Sequence, residues 1–440
     1  MSAVPQAGFA PSGHDPWEMP ETYDPLIDIQ GIAFFAMTAS VLFAMQLGSR
    51  GALIFSALTI GYLFYNPGTL ARITRRHWFF LAFPALAILS KYWSDAPSES
   101  FKHGLEYFLT VLGGLILTSR RNQRSTMFAV FLAFAAYSVG SLLWGGRIAI
   151  GNVADAALSG LSASKNEECS IVTSGALISL LWFAAGIQRS SRRQCLVAGA
   201  IFLVQAYLAV LTKSAGFTVS FVIGVMVFLL LAALGRVRRS TRALWVGLGA
   251  VASVTVLAIS LVLMNFVLNL LTTLLEKDST LTGRTYIWSR ARDLIAERPA
   301  LGHGFAAFWQ QGNLDAEGLW QFGHIPERSG FNFHNTGYEV LVALGWVGLA
   351  LFALTLVVGL IRLTAAYVRK PTLCTCFWIA FSLHIVTSMP FETMGTYEFN
   401  YETVLLFAGF ASFRPKRESA FGRAPRFVSR QRKEEQYVGI

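Results

Sequence analysis

Charged residues are scarce in this sequence. Only 14% of its 440 residues are Asp, Glu, Lys or Arg, whereas 54% are hydrophobic. A water-soluble chain of this length forms two or three domains, and their surfaces need more charge than that. The composition therefore excludes an ordinary soluble protein and directs attention to long apolar runs.

Familiar enzyme motifs are also missing. The sequence has no Walker, Rossmann or zinc motif and no internal repeat, which argues against ATP hydrolysis and nicotinamide chemistry. Cysteine is rare, with four residues, and Cys374 and Cys376 alternate within one predicted helix, where they cannot face each other. A disulfide framework is not expected.

The start of the chain lacks positive charge. The first 30 residues hold no Lys or Arg and are rich in Pro, Gly and acids. A signal peptide begins with a basic region, so this segment is not expected to be one. We interpret residues 1–28 as a flexible cytosolic tail.

Apolar runs, by contrast, are abundant. A spanning helix needs about 20 mostly apolar residues. We find twelve stretches near that length: 29–47, 51–66, 77–92, 103–119, 126–145, 168–187, 194–212, 215–235, 243–270, 335–361, 372–390 and 399–413. The predicted fold class is all-α, a polytopic membrane protein of about 12 transmembrane helices with a long, partly helical periplasmic loop.

Basic residues concentrate in alternate loops. In chain order, those loops contain Arg72, Arg75 and Arg76; Arg120, Arg121 and Arg124; Arg189, Arg192 and Arg193; Arg236, Arg238, Arg239 and Arg242; and Arg362, Arg369 and Lys370. Since loops rich in Lys and Arg stay in the cytoplasm, this pattern predicts that both termini are cytosolic. The net charge of +11 then reflects topology and attraction to anionic membrane lipids, and no nucleic-acid partner is expected.

Two loops on the predicted outer side are long, residues 146–167 and 271–334. Long loops on a rigid scaffold often carry function, although such a loop can equally be a lid or a docking surface. In the second loop, Thr282 and Gly283 are predicted to cap a helix that Pro299 stops. Its aromatic rings favour an interfacial belt, with a sugar-stacking platform as the alternative.

Arg284 lies in the middle of the apolar arc of this predicted helix, which also contains Ile287, Ala291 and Leu294. An unpaired guanidinium at that depth would be unfavourable, so an anionic partner is expected. That partner is either a carboxylate in a structural ion pair or a phosphate of a lipid-linked substrate. A snorkelling side chain is a further alternative.

Three histidines, His303, His324 and His334, occur in the same loop without a metal-ligand spacing, so no metal site is predicted. His334 enters the tenth predicted helix beside Asn335, which makes it either a structural residue or a general base at the membrane surface. Lys165 precedes the sixth helix in the other long loop. It is either a solvated lysine or a second cation near the same face.

Several segments together carry a resemblance. They resemble signature segments of the O-antigen ligase and Wzy-type polysaccharide polymerase superfamily, and the two upstream ones are similar to its ExoQ-like exopolysaccharide polymerase branch. The similarity runs from about residue 30 to 413. The segments, in chain order, are Trp93–Pro97 (WSDAP), Ser164–Glu167 (SKNE), Leu281–Trp288 (LTGRTYIW), Pro299–Gly304 (PALGHG), His334–Glu339 (HNTGYE) and Leu344–Gly348 (LGWVG).

The resemblance implies an inverting glycosyltransferase of the bacterial inner membrane that needs neither metal nor cofactor and whose site faces the periplasm. The glycan donor would be carried on undecaprenyl diphosphate. As a polymerase, the protein would transfer repeats to a sugar hydroxyl of another lipid-linked glycan during exopolysaccharide or O-antigen synthesis. As an O-antigen ligase, the alternative, it would transfer polysaccharide to lipid A-core.

The resemblance also implies roles and boundaries. Residues 29–413, including the periplasmic loop 271–334, would form the transmembrane glycosyltransferase domain. The basic residues after Phe413 and the even helix count themselves predict that 414–440 is a basic cytosolic tail. Arg284 would bind the diphosphate, and His334 would act as the base or position the acceptor hydroxyl. Candidate substrate-binding residues are Lys165, Asn166, Arg147, Asn335, Tyr338 and Arg290. A lysine as the second cation favours a polymerase, with Arg147 as the rival of Lys165, and a chain-length regulator protein is a candidate partner.

A transporter or lipid flippase is the main competing class, and a non-catalytic scaffold for polysaccharide assembly is another. Transporters place ionisable residues near the bilayer midplane and show repeat symmetry. Here His384 is the clear candidate within a helix centre, and no repeat is visible. The sequence therefore favours an enzyme.

Overall fold

The computed structural model describes residues 26–118, 123–150, 155–251 and 279–412. The two tails expected at 1–28 and 414–440 lie outside these ranges, except for residues 26–28. Most of the ninth predicted segment, 243–270, also lies outside them.

The described chain is mostly helical. The first helices are α1 (Ile29–Leu42), α2 (Ala44–Leu47), α3 (Ser49–Tyr65), α4 (Gly68–His77), α5 (Ala82–Leu89), α6 (Pro97–Leu117) and α7 (Gln123–Trp144). Next come α8 (Lys165–Gln188), α9 (Arg192–Leu211), α10 (Ala215–Leu234) and α11, which is described over residues 239–251. The last are α12 (Ser279–Glu297), α13 (Leu314–Phe322), α14 (Thr336–Arg369), α15 (Leu373–Ser388) and α16 (Tyr401–Ala411).

Each of the twelve predicted apolar segments contains helix in its described part. Five of the described helices, α7, α8, α9, α10 and α14, are long and apolar enough to cross a membrane on their own. The third predicted segment is broken, because short 3-10 turns at Trp78–Leu81 and Ser90–Tyr92 flank α5. The all-α expectation holds apart from one antiparallel hairpin, β1 (Gly146–Ile150) and β2 (Asp155–Gly160).

Helices α8, α15 and α16 form the centre of the bundle. Every residue of α16 is buried, and its Glu402 accepts a 2.8 Å hydrogen bond from Ser170 on α8. By contrast, α9 and α10 leave large apolar side chains such as Leu203 and Leu230 exposed. Exposed aliphatic faces suit contact with lipid chains, whereas polar pairs need the enclosed centre.

Helix α14 is broken at Gly345, whose φ of 61° and ψ of −163° are not helical. The turn after α12 fits into this break. His303 N–H donates to the Val342 carbonyl at 2.9 Å, and Trp346 N–H donates to the Pro299 carbonyl at 2.9 Å. A Cβ on Gly345 would lie 2.4 Å from the backbone of Ala300, so the approach requires glycine.

Helices α12 and α13 pack on the first turns of α14 through a small apolar core that includes Ile287, Leu294 and Trp320. The apolar arc predicted for α12 is confirmed, because Ile287, Ala291 and Leu294 are all buried. The predicted cap at Thr282 and Gly283 is wrong: the helix begins at Ser279, so both residues lie in its first turns. Its end at Glu297 agrees with the stop expected at Pro299.

Candidate active site

The segment 389–400, which joins α15 to α16, is fixed against the start of α14. Thr336 at that helix start donates from its N–H to the Met389 carbonyl at 3.0 Å. Its hydroxyl donates to the Glu392 carbonyl at 3.0 Å and accepts from Met394 N–H at 2.8 Å. These bonds place the side chain of Glu392 beside His334, two residues before α14.

Three residues named from the sequence meet at the Glu392 carboxylate. His334 Nδ1 lies 2.9 Å from Oε2. Arg284 Nη2 lies 3.4 Å from Oε1, and Asn166 Nδ2 donates to the same oxygen at 2.6 Å. The side chain of Glu392 is 12% exposed, against 30% for Arg284 and 27% for His334. The guanidinium and the imidazole are therefore partly exposed, whereas the carboxylate between them is mostly enclosed.

His334 is held in an unusual backbone conformation, with φ of 49°. Its N–H donates to Asn332 Oδ1 at 2.7 Å, and Thr393 donates to the same oxygen at 3.2 Å. Because an ionised carboxylate only accepts, Nδ1 bears the proton shared with Glu392. Nε2 then carries the lone pair and has no partner among the described residues, so it can accept a proton.

Arg284 reaches Glu392 from α12. The carboxylate supplies the anionic partner that its place on the apolar arc called for. The contact involves one guanidinium nitrogen at 3.4 Å, which is a long and single interaction compared with a bidentate pair. The guanidinium thus keeps donors that an incoming anion could use.

Lys165 and Asn166 form the first turn of α8. Ser164 caps this helix by accepting from Glu167 N–H, and Ser214 donates to Asn166 Oδ1 at 2.9 Å. Asn166 is thereby oriented toward Glu392. Lys165 is its chain neighbour and forms no ion pair within the described residues.

Arg147 takes a different position. It lies exposed on β1, opposite Leu158 of β2. It makes no hydrogen bond or ion pair to the residues around Glu392 in the part of the chain that the structure describes. Of the two candidates for a second cation, Lys165 is therefore tied more directly to the site.

The remaining candidates serve other contacts. Asn335 caps α14 by accepting from Tyr338 N–H at 3.1 Å, and the Tyr338 ring stacks on Trp288 with centroids 5.8 Å apart. Arg290 pairs with Asp293 at 2.9 Å and with Asp315 at 2.7 Å. The hydrogen bond to Asp315 raises the pKa of Arg290. None of the three side chains contacts Glu392 among the described residues.

Sequence analysis missed Glu392. It follows Pro390 at the end of the predicted span 372–390, on the side where the loop with Arg284 and His334 was expected. An acid there could have been proposed as the partner of Arg284. The sequence alone does not show which of the acidic residues on that side pairs with Arg284.

A second histidine and glutamate group lies on α6 and the segment 389–400. Within the described ranges, His103, Glu106 and Glu398 form one set whose donor atoms are close enough to hold a metal ion. His103 Nδ1 is 2.8 Å from Glu398 and 3.2 Å from Glu106. His303, His324 and His334 are not part of it, and His303 instead bonds Asp95 at 2.8 Å.

Around Glu392, the arrangement offers two chemical capabilities. The guanidinium of Arg284 can stabilise negative charge, and Nε2 of His334 can accept a proton from a hydroxyl. These are the needs of a transfer in which a sugar hydroxyl attacks and an anionic group departs.

Comparisons with known proteins agree with the resemblance found in the sequence. Residues 200–353 match a family model described as O-Antigen ligase, a range that includes Arg284 and His334. The chain is 29% identical over 356 residues to the exopolysaccharide production protein ExoQ of Rhizobium meliloti (strain 1021), with 78% of each chain covered. The resemblance to the superfamily and to its ExoQ-like branch is confirmed.

Proposed function

We propose that this chain, which resembles the ExoQ-like branch of the O-antigen ligase and Wzy-type polymerase superfamily, is a polysaccharide polymerase of the bacterial inner membrane. It would transfer glycan repeats from undecaprenyl diphosphate to a sugar hydroxyl of a second lipid-linked glycan. The reaction would invert the anomeric centre and use neither metal nor cofactor.

The observation that carries this proposal is the meeting of Arg284 and His334 at one carboxylate. The two residues come from different elements, α12 and the loop before α14, and they contact different oxygens of Glu392. A cation and an imidazole held within one small site fit a transfer that needs both charge stabilisation and proton removal.

In the proposed reaction, the acceptor hydroxyl attacks the anomeric carbon of the donor glycan. The bond from that carbon to the diphosphate oxygen breaks, and the diphosphate leaves with the bonding electrons. His334 Nε2 takes the hydroxyl proton while Glu392 holds Nδ1–H and the ring orientation. Arg284 moves from the long contact with Glu392 to the departing diphosphate, where its positive charge stabilises the negative charge that develops in the transition state.

The proposed orientation places this site at the periplasmic face. Arg242 on α11 donates to the Val368 carbonyl at 2.8 Å near the end of α14, and Arg362 donates to the Arg76 carbonyl at 3.3 Å. Two of the basic segments, those of Arg76 and Arg242, therefore contact the last third of α14, while Thr336 lies at its other end beside Glu392. The part of α14 after its break at Gly345, residues 346–369, alone rises about 36 Å at 1.5 Å per residue. The separation supports cytosolic basic loops and an outward site.

The alternative acceptor is lipid A-core, as in an O-antigen ligase. The name of the matching family model favours it, whereas the named relative is a protein of exopolysaccharide production. Both activities use the same donor, so the site around Glu392 would serve either one. We retain the polymerase because Lys165, the candidate second cation that adjoins Asn166, is a lysine.

A product-size assay tests the proposal. Purified protein in lipid nanodiscs is incubated with an undecaprenyl-diphosphate oligosaccharide, with and without lipid A-core. We expect a ladder of longer lipid-linked glycans, which persists when a chelator is added. A lipid A-core adduct without a ladder would support the ligase, loss of all products on chelation would contradict metal independence, and an unconsumed donor would exclude both transferases.

A further inference from the structure

Phe333, the residue before His334, is held at both polar groups of its main chain by side chains from two helices. Its N–H donates to Glu339 Oε2 on α14 at 3.1 Å. Its carbonyl accepts from Trp288 Nε1 on α12 at 2.9 Å. Loop backbone usually bonds to other backbone or to water, so this double side-chain clamp is a specific feature of the loop.

The clamp links the two reactive side chains. Trp288 lies four residues after Arg284 and therefore one turn along the same helix. Glu339 is fixed in turn, because its Oε1 accepts from Trp309 Nε1 at 3.0 Å. Phe333 thus joins the helix that carries Arg284 to the backbone that carries His334.

His334 depends on such support. Its φ of 49° lies in the left-handed region, which non-glycine residues occupy only where the surroundings enforce it. The Phe333 ring is fully buried and packs against Phe308 and Trp309, with centroids 5.3 and 5.0 Å away. Ring packing fixes where the loop sits, while the two hydrogen bonds fix the orientation of the peptide planes around His334.

We propose that Glu339 and Trp288 are positioning residues. They act through the main chain of Phe333 and hold the side chain of His334 in position relative to Arg284. They touch neither substrate nor reacting atoms in this scheme. The inference rests on the proposed function, because it assigns these residues to the transfer carried out by Arg284 and His334.

The kinetic test uses Glu339→Gln and Trp288→Phe in the full-length protein, with Trp320→Phe as the matched control. Trp320 is buried in the same small core, and its indole N–H has no hydrogen-bond partner within the described part of the chain. We expect the first two variants to lower kcat about tenfold or more, with the KM for the lipid-linked donor changed by less than about threefold. The control should keep its kcat.

A double-variant comparison separates positioning from general stability. In a His334→Ala background, Glu339→Gln and Trp288→Phe should cause no further loss, because the residue through which they act is gone. An equal loss in both backgrounds would overturn the proposal and leave the clamp a purely structural element.

A second readout does not need substrate. The rate at which diethyl pyrocarbonate modifies His334, followed by mass spectrometry, should change at least about threefold in Glu339→Gln and Trp288→Phe and stay constant in Trp320→Phe. Unchanged His334 reactivity in both variants overturns the positioning role. If the two variants alter the reactivity of His334 but the wild-type protein transfers no glycan, the result would count against the proposed function and would leave the positioning role intact.

Discussion

The segment 389–400 carries two glutamates that each bond the Nδ1 of a histidine, and the two pairs differ in their surroundings. Glu392 lies 2.9 Å from His334, and Glu398 lies 2.8 Å from His103. The other ring nitrogen of His103 faces Glu99 at 3.4 Å, whereas that of His334 has no partner among the described residues. Both ring nitrogens of His103 therefore face carboxylates, whereas, within the described ranges, one ring nitrogen of His334 is free for chemistry.

Neighbouring charge separates the pairs further. Glu106 is the third group near His103 Nδ1, at 3.2 Å, so that pair lies among carboxylates. The Glu392 pair instead has Arg284 and Asn166 beside it. A histidine surrounded by acids can hold the segment to α6, but it offers nothing to a departing diphosphate. A histidine–glutamate pair can serve this reaction only where a cation lies next to it, as Arg284 does beside Glu392.

Replacement of the two histidines gives the largest expected contrast. His334→Ala should lower the transfer rate by about 10²–10⁴-fold, the usual contribution of a general base. His103→Ala should leave the rate within about threefold, because that ring has no free nitrogen to take a proton. The rate of ladder formation measures both, and near-normal activity of His334→Ala would remove it from the mechanism.

Replacement of the cation should come next. Arg284→Ala is expected to lower turnover about a hundredfold or more, since one electrostatic donor is commonly worth roughly 3–4 kcal/mol. Arg290→Ala is the matched control on α12, because Arg290 is bound to exposed Asp293 and Asp315 and should change turnover by less than about twofold. Similar losses of turnover in both variants would show that α12 contributes to the fold and that Arg284 has no specific role in the reaction.

The two glutamates provide a smaller and more direct contrast. Glu392→Gln should lower kcat about tenfold, because the amide cannot satisfy His334, Arg284 and Asn166 together and the imidazole loses its fixed orientation. Glu398→Gln changes the same segment away from Arg284 and should keep most of the activity. Steady-state kinetics on the two variants measure the difference, and a larger loss in Glu398→Gln would reverse the comparison.

Much of the fold follows from the sequence because apolar length is a strong signal. Runs of apolar residues mark the helices, and the arc of Ile287, Ala291 and Leu294 predicts which face of α12 is buried. The break of α14 at Gly345 was not predictable from periodicity, since the apolar pattern continues through it. It depends on the backbone of Pro299–Gly304, a segment about 40 residues earlier in the chain.

The site was predictable in part for a similar reason. The position of Arg284 on an apolar arc requires an anion, and His334 was named from its place at a helix entry. Their common partner, Glu392, comes from a segment 58 residues beyond His334, and no local pattern specifies that distance. Local patterns likewise could not show that Arg290 and Asn335 would be used in a surface ion pair and a helix cap.

The smallest expected contrast concerns the second cation. Lys165 adjoins Asn166, which donates to Glu392 at 2.6 Å, whereas Arg147 lies exposed on β1. Because a partly solvated charge acts over a screened distance, Lys165→Ala should raise the KM for the lipid-linked donor by only about three- to tenfold, and more at low salt than at high salt. Arg147→Ala should change it by less than about twofold. A larger rise in KM for Arg147→Ala than for Lys165→Ala would identify Arg147, on the hairpin, as the second cation. The second cation would then not be a lysine, so it would no longer favour a polymerase over a ligase.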